Sequence, residues 1–213
     1  MAALRSPEGC PWDREQDHLT LRFHAVEEVY ELMDAIEAGD DHEMKEELGD
    51  LLLQVVFHCQ LAGERKAFDF DDVASNITEK LIRRHPHVFG DKKVKDVEAV
   101  WEQWEKIKKQ EKAGTRQDRK SALDGIPKHL PGLMRAEKLF KKAAKAGLIE
   151  KPSPAKAGKK ATRKQLGEEL VALSRKIQQL GYSPEELLRS ELQKEEKKLR
   201  AAEKTRNKHS SQE

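Results

Sequence analysis

Apolar side chains recur at three- and four-residue steps through four successive segments of the chain, and no stretch alternates in twos long enough to read as a strand. That period buries one stripe of a helix, whereas a half-buried strand needs a period of two. In residues 19–38 the stripe is Val26, Val29, Tyr30, Met33 and Ile36, and Gly39 is placed to stop it. A second helix is expected to start at Asp40 or Asp41, both good caps, and to run to about Ala62 before Gly63. Its stretch 51–57 is apolar almost all round, which suits a central bundle helix. A third, 71–84, carries Val73, Ile77 and Leu81 and must end before Pro86. A fourth, 97–111, carries Val100, Trp101, Trp104 and Ile107. The fold class is therefore all-α, with a four-helix core completed by oligomerisation.

Composition enters as a constraint on what those helices can do. Charged residues make up 38% of the chain and hydrophobic ones 37%, too polar a balance for large sheets buried on both faces. No apolar run reaches the roughly 18 residues that a membrane-spanning helix needs, and 1–12 lacks an apolar leader, so a cytoplasmic location is expected. Cys10 and Cys59 have no ligand-like spacing and read as small apolar groups in a reducing compartment. Charge is divided by position: residues 1–113 hold 26 acids against 16 bases, a net of −10, and the remainder carries +12.

The acids of the first half are patterned. Glu28 and Glu31 are three apart and share one helix face, with Glu27 beside them, and Glu47 and Asp50 repeat the step on the next helix. If the short turn at Gly39 folds the two helices antiparallel, two carboxylates from each converge. Two like charges 4 Å apart repel by about 4 kcal/mol at an effective dielectric of 20. Such a cluster is either a solvated acidic face or a site for a hard divalent cation, which takes oxygen ligands. Lys80, Arg83 and Arg84 end the third helix, with His85 and His87 just beyond. They suit either a phosphate or simply the negative end of the helix dipole. Trp101 and Trp104 read as core or as a stacking platform for a base.

These blocks carry a resemblance. Gly9-Cys10-Pro11-Trp12-Asp13, Glu27-Glu28-Val29-Tyr30-Glu31, Glu47-Leu48-Gly49-Asp50 and Arg83-Arg84-His85-Pro86-His87-Val88-Phe89, in that order, resemble the MazG family of nucleoside triphosphate pyrophosphohydrolases. The resemblance implies a MazG-like helical bundle over residues 8–112, dimeric or higher in order. It implies Mg²⁺-dependent cleavage of nucleoside triphosphates between the α and β phosphates, with Mn²⁺ as an alternative ion and nucleotide-pool house-cleaning as the role. Carried onto this chain, it makes Glu28, Glu31, Glu47 and Asp50 the metal ligands. Glu27 becomes an outer acid or the base for water, Lys80, Arg83 and Arg84 hold the phosphates, and Trp101 lies near the nucleotide.

Beyond residue 112 the expectation is a linker, 113–163, with one short helix at 133–146 and a disordered Lys/Ala/Pro-rich stretch from 151. A helical pair at 164–204, its second helix capped by Ser183, and a disordered tail at 205–213 complete the chain. Glu168-Glu169-Leu170-Val171-Ala172-Leu173 echoes Glu46-Glu47-Leu48-Gly49-Asp50-Leu51, so 164–204 resembles a second, degenerate MazG-like unit in which Ala172 stands where an Asp is needed. The competing reading of the basic half is nucleic-acid binding or regulatory interaction. Tyr182 is the single aromatic in 151–213, which leaves little capacity for base stacking and makes nucleic acid the weaker partner.

Overall fold

The computed structural model describes residues 1–115, 118–150 and 162–209. Among them it forms eight helices and no strand, in two compact units, Met1–Ile107 and Lys108–Glu213. The expected Lys/Ala/Pro-rich stretch falls mostly on 151–161, outside the described residues.

The first unit holds α1 (Pro11–Glu15), α2 (His24–Ala38), α3 (Asp41–Glu64), α4 (Phe70–Arg84) and most of α5 (Val97–Lys112). Its central feature is the α2–α3 hairpin. Gly39 closes α2 in the left-handed region, at φ 69°, where a side chain would be strained. Asp40 then caps α3 by accepting from the amides of His42 and Glu43 at 2.9 and 3.1 Å. So short a connection forces α3 back along α2, and the two pack along their length. Asp69 opens α4 with a reciprocal capping box to Asp72, and α4 packs on α3.

Two local differences from the sequence-based expectation have physical causes. Helix α2 begins at His24 rather than Leu19, because Asp17 captures the amides of Leu19 and Thr20 at 2.7 and 2.8 Å and holds them in a turn. Helix α1 is an addition to the expected elements; Pro11 starts it, and five residues are too few for periodicity to register.

The buried core of this unit is small: Leu21, Phe57 and Leu61, with Met1 packed against them. Arg5 fastens the N-terminal segment over it, donating to Glu64 at 2.7 and 2.8 Å and lying 5.7 Å from the Phe57 ring centroid. By contrast Val26, Val29, Tyr30, Met33 and Ile36 of α2 and Leu48, Leu52, Leu53 and Val55 of α3 are exposed on the single chain. The row that periodicity assigns to a core is thus an open apolar face. Cys59 is buried and Cys10 half-buried, as two small apolar groups should be.

The second unit holds α6 (Gly132–Lys145), α7 (Arg163–Gln179) and α8 (Pro184–His209). Leu123, Leu139, Ala143, Leu192 and Leu199 form its core, with Ile126, Ala136 and Leu188 packed around them. Leu123 and Ile126 belong to the segment expected as a polar linker, so 118–131 is instead a packed strap. Polar groups hold it there. Glu203 accepts from the Ser121 hydroxyl and the Ala122 amide at 2.5 and 2.8 Å, and Arg200 reaches Asp124 at 2.7 Å. Arg135 donates to the Pro127 carbonyl at 3.1 Å and to Glu196 at 2.5 Å, while Glu185 accepts from the Gly132 amide at 2.9 Å. Ser183 caps α8, whose Glu186 amide donates to it at 3.3 Å. The helix runs on to His209, past the residue expected to begin a disordered tail; residues 210–213 lie outside the described ones.

Candidate metal centre

The α2–α3 hairpin sets which side chains face each other. Glu28 sits on α2, and Glu47 and Asp50 sit one turn apart on α3. Antiparallel packing brings one carboxylate oxygen from each of the three within 4.8 Å of the others, and all three residues are half-buried. Glu31, one turn beyond Glu28, stays outside that three-oxygen group, but its charge acts on the Glu28 carboxyl.

The electrostatics reflect that crowding. Burial, then the charges of Asp50 and Glu31, push the Glu28 carboxyl above the ordinary carboxylate range. Glu47 is raised too, by burial first and then by Glu31 and Asp50, with Glu46 and Glu43 adding to it. The charges that weigh most on Glu28 and Glu47 are all negative. Glu47 Oε2 is buried and accepts no hydrogen bond. A buried carboxylate oxygen without a donor is costly, and a hard cation beside it would satisfy it. The donor set, three carboxylates with one orphaned oxygen, fits a divalent ion with oxygen preference. The cluster is a candidate metal site.

Other expected residues are placed less tightly. Glu27 is exposed on a different face of α2, 3.7 Å from His24, and is not one of the three converging oxygens. Lys80 and Arg84 are half-buried and Arg83 exposed, all on the last turns of α4. Just beyond them His85 lies edge-on to Trp104 with centroids 5.3 Å apart, and His87 meets Gln103 at 3.1 Å. These contacts lay the basic end of α4 against α5. Trp104 is turned inward there, while Trp101 is 57% exposed and packs edge-on against it at 5.8 Å.

Two groups escape a reading of the sequence alone. Gln54 is buried, its Oε1 has no partner, and it stands four residues after Asp50 on the α3 face that carries Glu47. A lone polar residue inside Leu51-Leu52-Leu53-Gln54-Val55-Val56 is the available signal. His18 and His58 stack with Nδ1 atoms 2.8 Å apart, and Arg65 contacts His18 Nε2 at 2.9 Å. Forty residues separate the two histidines, and no local pattern announces the pair.

Comparison with known proteins bears on this arrangement. Residues 16–89, which contain the whole carboxylate cluster and the basic end of α4, match the MazG nucleotide pyrophosphohydrolase domain. The chain is also 40% identical over 199 residues to an uncharacterized 26.1 kDa protein of Streptomyces cacaoi, covering 91% of this chain and 76% of that one. The chain belongs to the MazG family. A nucleoside triphosphate pyrophosphohydrolase of Escherichia coli K12 is 49% identical over 148 residues, which are 69% of this MazG chain and 56% of that protein. The Thermotoga maritima nucleoside triphosphate pyrophosphohydrolase/pyrophosphatase MazG is 48% identical over 147 residues, 69% of this chain and 55% of its own. This MazG chain thus spans little more than half the length of those two curated relatives. No helix among the described residues is long and apolar enough to cross a membrane.

Proposed function

We propose that the first unit hydrolyses nucleoside triphosphates between the α and β phosphates, giving a nucleoside monophosphate and pyrophosphate, in nucleotide-pool house-cleaning in the cytoplasm. The observation that carries this reading is the convergence of carboxylate oxygens of Glu28, Glu47 and Asp50 within 4.8 Å of one another, beside the unpartnered buried Oε2 of Glu47. Such a cluster repels an anionic substrate unless a cation intervenes, so Mg²⁺ is the proposed cofactor, with Mn²⁺ as an alternative. Glu28, Glu31, Glu47 and Asp50 would hold it. When bound, such an ion neutralises phosphate charge and acts as a Lewis acid.

The remaining roles fall to the chain itself. Lys80, Arg83 and Arg84 would bind and orient the phosphate chain, through charge-assisted bonds that a triphosphate satisfies more fully than a monophosphate. Trp101, largely exposed, offers a ring face on which a base can stack. Glu27 would take a proton from water at its carboxylate or position that water through an outer hydrogen bond. The open face of α2 and α3 supports a homodimer or higher homo-oligomer, since so many exposed apolar side chains on adjacent helices ask for a cover. The second unit is proposed to be catalytically inert, because Ala172 stands where the echo of Asp50 would need a carboxylate.

The test is pyrophosphate release from a panel of canonical and damaged triphosphates. Glu28→Gln and Asp50→Asn should each lower turnover by at least about 100-fold, on the scale of losing a major electrostatic contribution. Undiminished turnover in both would refute the site assignment.

A further inference from the structure

We propose that Gln54 accepts a hydrogen bond from a sugar hydroxyl of the bound nucleotide, and so decides which sugars the site takes. The proposal rests on the triphosphate reading of the carboxylate cluster. Gln54 is 8% exposed, and its Oε1 has no hydrogen-bond partner. A buried amide oxygen left without a donor destabilises a fold, whereas a methionine or leucine would fill similar space without that cost. Packing alone therefore gives no reason for a glutamine at this position. A donor that arrives with a ligand does.

The place of Gln54 on α3 says which ligand. Glu47, Asp50, Gln54, Phe57 and Leu61 succeed one another at steps of three, four, three and four, which keeps them on one face of the helix. The first two are half-buried and the last three buried. Gln54 thus stands between the carboxylates and the apolar core of Leu21, Phe57 and Leu61, one helical turn of about 5.4 Å beyond Asp50. Helical side chains lean back over the preceding turn, and the turn that precedes Gln54 is the one that carries Asp50.

A metal–triphosphate complex brings few donors to that position. Its phosphate oxygens only accept, and the cation is met by the carboxylates. Donors on the base differ from one base to the next and lie farther out. The sugar is joined directly to the α-phosphate, which cleavage between the α and β phosphates must place at the metal. Its hydroxyls are the nucleotide's O–H donors nearest that phosphorus. Two buried oxygens on this face of α3 lack a partner, Glu47 Oε2 and Gln54 Oε1. One bound complex would satisfy both, the first through its cation and the second through its sugar.

The experiment compares the full-length wild type with Gln54→Met in Mg²⁺, by pyrophosphate release. The substrates are the triphosphate that the wild type cleaves fastest and its 2′-deoxy, 3′-deoxy and 2′,3′-dideoxy forms. In the wild type, removing the hydroxyl that Gln54 holds should lower kcat/KM by about 10- to 100-fold, since a buried acceptor is then left unpaired. The two singly deoxygenated forms tell which hydroxyl it is. Gln54→Met should lower kcat/KM by a similar factor on the forms that keep that hydroxyl, and leave the dideoxy form within about three-fold, so that discrimination nearly vanishes. Melting without nucleotide or metal gives a readout apart from activity: Gln54→Met should melt at or above the wild type, because it removes an unpaired buried oxygen.

Equal losses on all four sugars would assign the oxygen to a trapped or cation-held water and overturn the proposal. A wild type that cleaves the dideoxy form as fast as its parent would also overturn it. So would a Gln54→Met variant that melts lower, which would show the amide to be satisfied within its own chain. A wild type that releases pyrophosphate from no triphosphate would instead refute the proposed reaction, and this inference with it.

Discussion

Replacing Glu28 by glutamine should move stability in opposite directions with and without a divalent ion. The Glu28 and Asp50 carboxylate oxygens lie within 4.8 Å of each other. Two unit charges at that separation repel by about 0.9 kcal/mol in bulk water and about 3.5 kcal/mol at an effective dielectric of 20. The site is only half-buried, so the screened value governs, and about 1 kcal/mol is the expected gain when one charge is removed. For a unit of about one hundred residues this raises the melting temperature by roughly 4 °C in EDTA. With about 10 mM Mg²⁺ and a dissociation constant on the order of 1 mM, the wild type gains about 1.4 kcal/mol by mass action. The variant, short of one ligand, forgoes most of that. Melting curves in EDTA and in Mg²⁺ should therefore cross, with Glu28→Gln the more stable without metal and the wild type the more stable with it. A variant that melts lower in EDTA, or one that Mg²⁺ stabilises as much as the wild type, would refute the reasoning.

The same carboxyls set a pH dependence. Glu28 and Glu47 are raised in the fold, so their contribution to stability is fully present below the ordinary value of 4.5 and is lost as pH rises through their folded values. Melting temperatures in EDTA should accordingly fall less steeply over this range in Glu47→Gln than in the wild type. His58 acts in the opposite sense. Burial, then the neighbouring His18, lowers its pKa, so its contribution holds above 6.5 and is lost as pH falls through the folded value. His58→Gln should flatten the acid side of the stability profile, and a profile unchanged between about pH 7 and 5 would count against a buried His58 imidazole that resists protonation. Arg5→Ala removes a two-point contact to Glu64 and the cover over Phe57. It should cost about 2 kcal/mol in chemical denaturation, and a loss below a few tenths would show the clamp to be superficial.

How much of this is legible in the sequence depends on the distance over which each feature is decided. The Gly39 stop and the Asp40 cap are local choices of single residues, and both stand where the chain announces them. The convergence of Glu28 with Glu47 and Asp50 is legible because a short turn between two periodic helices leaves one way to fold back. The late start of α2 is not, since Asp17 and Thr20 offer the backbone a rival set of hydrogen bonds that periodicity cannot weigh. The strap at 118–131 departs from expectation for a different reason. Its Gly and Pro residues signal a loop correctly, but the α8 partners that pin it, Arg200 and Glu203, lie some eighty residues further on. Arg5 and Glu64, 59 residues apart, escape local reading in the same way. The open face of α2 and α3 shows the converse limit, because a stripe declares that a side chain seeks cover without saying which molecule supplies it.

The turn at Gly39 and Asp40 has a bearing on how such a chain can vary. Hairpin tips are ordinarily where a protein tolerates inserted residues. Here the tip fixes the phase between two helices that must meet at three oxygens. One residue added within the start of α3 would turn the rest of that helix by about 100° and advance it by about 1.5 Å, carrying Glu47 and Asp50 off the face that Glu28 presents. The hairpin therefore works as a ruler as much as a link, and the length of its smallest loop is held by the chemistry eleven residues before it and seven residues after it.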